Sequence, residues 1–147
     1  MNDQNQYVHD TSDIHERIRA GILPVIEHVE ALAAGDVCHY FSPVRFGRRR
    51  ADQFGHLLLT TGWVRFRGAM DVSIAWSEVT HIDRLDHEIV VSLNRSRRQF
   101  RFWCNSIGEA EEGVLIGDRL RMAALADPRL NHPADRERSG SASGALT

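Results

Sequence analysis

FGHLLLTTGWVRFRG, residues Phe54 to Gly68, is the stretch on which the fold turns. Its second half alternates, with Val64 and Phe66 opposing Trp63, Arg65 and Arg67. A period of two puts successive side chains on opposite faces of a strand, one buried and one wetter. Its first half, Gly55 to Thr60, is a Leu- and Thr-rich run of strand length. Thr61-Gly62 between the halves is short enough for a hairpin turn. The stretch therefore predicts two antiparallel strands.

The same pattern continues on both sides. Val72, Ile74 and Trp76 oppose Ser73 and Ala75; Ile89, Val91 and Leu93 oppose Val90 and Ser92; Phe100, Phe102 and Cys104 oppose Arg101 and Trp103. Seven strands are expected, near Val37–Phe46, Gly55–Thr60, Trp63–Arg67, Val72–Trp76, Thr80–Leu85, Glu88–Leu93 and Gln99–Cys104. The links Thr61-Gly62, Gly68–Asp71 and Asp86-His87 are hairpin-sized, so the strands read as an antiparallel meander. The longest gap, Gly47 to Phe54, holds Arg48, Arg49 and Arg50.

Helices are expected at both ends. Asp13-Ile-His-Glu16 has capping-box spacing, and Ile14, Ile18 and Ile22 recur at helical intervals to about Ala20. Pro24 breaks that run, because a proline inside a helix costs about 3 kcal/mol. It suits the first turn of a second helix that would end at Gly35, with Val25, Ile26, Val29 and Leu32 on one face. Ser106-Ile-Gly-Glu109 is another capping box. It opens a helix expected to run to about Ala126, stopped at Asp127-Pro128. Apolar positions of this helix spread widely around its axis, so much of it should be covered. The organisation expected is a helical extension over 1–35, a barrel over 36–126 and a disordered polar tail over 127–147.

The bulk composition fits one globular domain. The 147 residues are 42% hydrophobic and 26% charged, enough for a core. Met1 to Asp13 is polar and acidic, unlike a signal peptide, and no apolar run is long enough to span a bilayer. Both features point to the cytoplasm, with peripheral membrane contact as the extension of that reading. Cys38 and Cys104 stand far apart in no metal or redox motif and read as buried thiols. The net charge of −2 hides an asymmetry: every basic residue is Arg, and Val37–Cys104 carries eleven of them against six acids. An anionic partner would be met there.

Residues 54–68 resemble the G-x-L-x-L-T … R-x-x-F core of GRAM domains and bacterial pleckstrin-homology-like (PH-like) domains. Ser73–Ile82, SIAWSEVTHI, resembles the I-P-W-x-x-I-x-x-I step of the same family, and Phe100-Arg-Phe followed by a helix also fits. The resemblance spans about 36–126. It departs at Ala75, where proline is common, and at Gly62-Trp63, where a polar turn residue and Arg are common. It implies a mainly β fold, a PH-like seven-stranded antiparallel barrel or sandwich capped by a C-terminal helix and preceded by one or two short N-terminal helices.

The resemblance also implies a site. In PH domains the first strand-to-strand loop holds basic residues that grip a phosphorylated headgroup, which here selects Arg45, Arg48, Arg49 and Arg50. Arg95, Arg97 and Arg98, between the sixth and seventh strands, would reach the same barrel end, and outward-facing Arg65 and Arg67 would line the approach. The guanidinium fork donates paired hydrogen bonds to phosphate. The plain alternative is that these arginines are solvated loop residues or pair with N-terminal acids. Trp63 and Trp103 fall in the outward register and would form an interface, covered by the N-terminal helices or by a second copy.

Eight histidines, with His81 and His87 flanking Asp83, Asp86 and Glu88, show no metal-ligand spacing. No cofactor motif, nucleophile elbow or Cys/His pair appears, so a non-enzymatic module is expected. It would bind a protein partner or an anionic membrane surface. The alternative is a structural, self-associating domain that forms homo-oligomers. A nucleic-acid reading needs exposed aromatics on a basic face, and the aromatic residues here fall mostly in the inward register, which argues against it.

Overall fold

The computed structural model describes residues 13–29, 32–48 and 51–127. Seven strands and two helices appear among them. A short helix, α1, covers 13–19. The strands follow as β1 (Cys38–Arg48), β2 (Ala51–Thr60), β3 (Trp63–Arg67), β4 (Val72–Ala75), β5 (Val79–Leu85), β6 (Glu88–Leu93) and β7 (Gln99–Cys104), and the long helix α2 is Ile107–Ala126. A single 3-10 turn, Trp76–Glu78, links β4 to β5.

The strands form one antiparallel sheet in the order β4-β3-β2-β1-β7-β6-β5. Two meanders, β1–β4 and β5–β7, are thus joined through β1, which pairs with β2 on one side and with β7 on the other. The fold is mainly β with a C-terminal helix, as expected. No helix among the described residues is long and apolar enough to cross a membrane.

One face of the sheet carries the core. Tyr40, Val44, Phe46, Leu57, Leu59, Val64, Phe66, Ile89, Val91 and Phe102 cluster there with Trp76 and one face of α2. Trp76, 1% exposed, sits in the 3-10 turn, where its Nε1 donates to the Thr60 carbonyl at 2.8 Å. Burial of an indole is tolerated when its N–H finds such a partner.

Helix α2 approaches the sheet through small residues. Its buried positions are Ala110, Gly113, Ile116, Gly117, Leu120 and Ala124. A Cβ added at Gly113 would stand 2.6 Å from Ile89 Cδ1 and 2.9 Å from Tyr40 Cζ; one at Gly117 would stand 2.5 Å from Ile82 Cδ1. The wide apolar spread along this helix follows from that contact, since its buried face is partly glycine and alanine. The N-terminal capping box forms as expected: Ser106 Oγ accepts from the Glu109 N–H at 3.1 Å, and Glu109 Oε1 accepts from the Asn105 N–H at 3.2 Å.

Three expectations need correction. First, 24–29 and 32–35 are not helical. The segment runs as an irregular strap over the start of β1, where the Ile26 N–H donates to the Cys38 carbonyl at 2.8 Å and His39 Nδ1 meets the Pro24 carbonyl at 2.7 Å. Tertiary hydrogen bonds override the local helix signals. Helix α1 is closed before the strap by Gly21, at φ +91°. The Gly21 N–H bonds the Ile18 carbonyl and the Ile22 N–H bonds the Arg17 carbonyl, the Schellman pattern. Hence only Ile18 of the isoleucine series is buried; Ile14 and Ile22 are exposed.

Second, 47–54 is not a long loop. β1 and β2 extend through most of it, with Arg48 opposite Ala51, and only Arg49 and Arg50 fall between the strands. Third, Trp76 leaves the strand for the 3-10 turn while keeping its buried position. As expected, Cys38 and Cys104 stay apart as thiols. Cys104 pairs with Val44, six residues along from Cys38, which is about 20 Å of strand and beyond disulfide reach. Both are buried and free. All but the first residue of the tail expected over 127–147 lies outside the described residues, as does 1–12 of the expected helical extension.

Candidate functional site

The arginines singled out in the sequence divide between one end of the sheet and its outer face. The register that pairs Phe46 with Phe102 puts the Arg48 end of β1 and the 94–98 turn before β7 at the same end of the sheet. Arg95, Arg97 and Arg98 are exposed in that turn, and Arg98 also lies over the Phe100 ring at 5.5 Å. Arg48 belongs to β1 by its backbone; Arg49 and Arg50 lie outside the described residues.

Arg45, Arg65 and Arg67 alternate onto the outer face, opposite the core. Cross-strand pairing aligns them in rows. One row runs Leu85–Glu88–Trp103–Arg45–Phe54 over β5, β6, β7, β1 and β2. The next, on the β1–β3 side, runs Pro43–His56–Arg67, and another runs Phe41–Leu58–Arg65–Ser73. Arg65 Nη1 donates to Ser73 Oγ at 3.3 Å.

Trp63 and Trp103 lie outward and half-buried. Each is covered by a guanidinium: Arg45 lies 4.7 Å from the Trp103 ring and Arg65 lies 5.1 Å from the Trp63 ring. Such stacking satisfies both partners, a cation over the negative face of a π system. The N-terminal strap instead meets the outer face at Phe41, whose ring has His28 at its edge (5.5 Å) and His56 stacked on it at 4.5 Å.

Between these rows the outer face is indented. A groove of about 230 Å³ lies across β1 between β2 and β7, bordered by Pro43, Arg45, Phe54, His87, Trp103 and Asn105. Phe54 is 76% exposed, high for a large aromatic residue. On the far side, Glu88 is 6% exposed and is held by Arg101 at 3.2 Å. Burial of a carboxylate is tolerated when it is paired in this way.

Phe54 and Asn105 escaped the sequence reading as site residues, and His87 was weighed there only as a metal ligand. The usable signal was the register. Once β2 is extended back to Ala51, Phe54, His56 and Leu58 share the parity of the outer face, and Phe54 falls opposite Arg45.

Groups with displaced titration lie mostly against the core. Burial pushes the Cys38 and Cys104 thiols up from their ordinary value, with a backbone hydrogen bond at Tyr40 and the Tyr40 side chain respectively drawing them back. Burial likewise pushes the Tyr40 phenol well up; its hydroxyl donates to the Glu109 carbonyl at 2.8 Å. Among the described residues no three His, Cys, Asp or Glu side chains come together as a metal-holding group.

No protein-family model matches the sequence, and no curated protein does. Among solved structures the chain is similar to the crystal structure of the C-terminal domain of an unknown protein from Leishmania infantum, with a TM-score of 0.51. Identity is 16%, over 59% of this chain and 86% of that one. At that identity the likeness shows the fold alone.

Proposed function

We propose that this chain is a non-enzymatic binding module of the PH-like kind, an adaptor whose arginine-bearing sheet end contacts an anionic membrane surface from the cytoplasmic side. The observation that carries the reading is topological. Strand pairing brings the end of β1 at Arg48 and the 94–98 turn, which carries Arg95, Arg97 and Arg98, to one end of the sheet. Clustered arginines near an anionic bilayer contribute about 1 kcal/mol each. Binding rather than turnover is favoured because the outer surface offers arginines and aromatic rings, and Glu88 on it is tied to Arg101.

Co-sedimentation with vesicles tests the reading. Wild type should pellet with anionic vesicles at low salt, and neither with neutral vesicles nor at high salt. An Arg48/Arg49/Arg50→Ala variant should stay in the supernatant. Pelleting that ignores vesicle charge, or that survives the triple substitution, would discard the membrane surface and leave an acidic protein partner as the occupant.

Self-association is a second reading, favoured by exposed apolar side chains on both helical regions. These are Ile107 and Met122 on α2, and Ile14, Ile22 and Val25 near the N-terminus. Sedimentation velocity over a hundredfold range of concentration should show a dimer that Met122→Lys dissolves; a monomer throughout removes this reading.

A further inference from the structure

The outer-face groove combines features that the turn arginines do not. Phe54 holds a ring 76% exposed at one wall. Trp103, with Arg45 stacked on it at 4.7 Å, forms the other wall, and His87 and Asn105 bring hydrogen-bonding groups to the rim. Arg67 stands one row away, opposite His56. The segment that builds this face, Val37–Cys104, carries five more arginines than acids.

From this arrangement we infer that the outer face binds single-stranded nucleic acid, with a base stacked on Phe54 and the backbone phosphates held by Arg45 and Arg67. Single strands are recognised by aromatic platforms interleaved with arginines, because every base offers a π face and every phosphate a charge. His87 and Asn105 can both donate to and accept from a base edge. A groove of about 230 Å³ takes one planar ring and is far too small for a duplex. An acidic peptide would use the arginines and leave the exposed ring without a role. A bilayer would have to cover Asp83 and Asp86, exposed beside Leu85 at the end of the same row, at a desolvation cost. Most aromatic residues do fall inward, Tyr40, Phe46, Phe66, Trp76 and Phe102 in the core; the inference rests on Phe54 and Trp103, which lie on the outer side. It uses outer-face side chains rather than the turn arginines, so it stands apart from the membrane reading.

The test is fluorescence anisotropy with labelled oligo(dT) and oligo(rU) of about 12 nucleotides, within the length that small ssDNA-binding barrels cover. Wild type should bind at low salt. Phe54→Ala, an exposed position whose loss leaves the core intact, should weaken binding roughly 5- to 100-fold. Arg45→Ala should also weaken it and lower the slope of log affinity against log salt by roughly 0.7. The Arg48/Arg49/Arg50→Ala variant should still respond to Phe54→Ala, which separates this site from the sheet end. Absence of binding at low salt would overturn the inference. So would binding that Phe54→Ala leaves unchanged, since charge alone would then be at work. If wild type ignores both oligonucleotides and Phe54→Ala abolishes pelleting with anionic vesicles, the face belongs to the membrane and the nucleic-acid site is discarded.

Discussion

Glu112 shows how one side chain ties stability to pH. It lies half-buried on α2. Burial pushes its carboxyl above the ordinary range, His15 across on α1 draws it back, and Glu109 pushes it up again. A folded-state pKa above the unfolded one means that folding favours the protonated form. The associated stability is fully present below the unfolded carboxyl value, near 4.3, and is lost as pH rises through the folded one. Glu112→Gln should therefore be more stable than wild type at pH 7, with the difference vanishing below about pH 4, as read by urea denaturation across that range. Trp76 is the opposite kind of residue, since its value is all packing and one hydrogen bond. Trp76→Ala should cost about 3–5 kcal/mol in the same assay, and the Thr60 carbonyl would lose its 2.8 Å partner.

At the scale of elements, α2 depends on what it lacks. Gly113 and Gly117 allow the helix to settle onto Ile89 and Ile82. Gly113→Val should lose about 1–3 kcal/mol, since overpacking outweighs the slight gain in helix propensity over glycine. Gly108 is the control: a Cβ there meets nothing closer than Ser106 Oγ at 4.0 Å, and Gly108→Ala should gain up to about 1 kcal/mol. Differential scanning fluorimetry orders the two variants. The same scale explains which elements could be read in advance. β3 and β7 match their alternation, because each has one face against the core and one toward the outside, whereas β6 is buried on both faces from Glu88 to Val91. α2 is marked at its start by Ser106 and Glu109. The strap over 24–29 and 32–35 could not be read, because Pro24 and Gly35 are local signals, whereas the bond from Ile26 to Cys38 exists only once β1 is in place. The groove was hidden for a related reason. Arg45 and Trp103 are visible one at a time, but their meeting with Phe54 depends on the pairing of three strands.

For the whole molecule, the two cysteines report on its integrity. Both are buried, at 1% and 4% exposure, and both thiols are pushed up by burial. Since the thiolate is the reactive form, the native protein should react slowly with Ellman's reagent and take up two equivalents once unfolded in urea. Mild oxidation should give no intramolecular disulfide, checked by intact mass. Fast labelling of the native state would mean that the sheet opens around β1.

The place of β1 has a further consequence, for synthesis. β1 pairs with β2 almost at once in sequence, but its other edge, Val44 to Phe46, waits for Phe102 to Cys104. Contacts so far apart along the chain form late and slow folding. A ribosome adding about 5–20 residues per second leaves that edge open for several seconds after the first meander has emerged. During this interval the nascent chain presents an unpaired central strand, a template for mispairing with another chain. A charge such as that of Arg45, set on that strand, discourages pairing with a second copy.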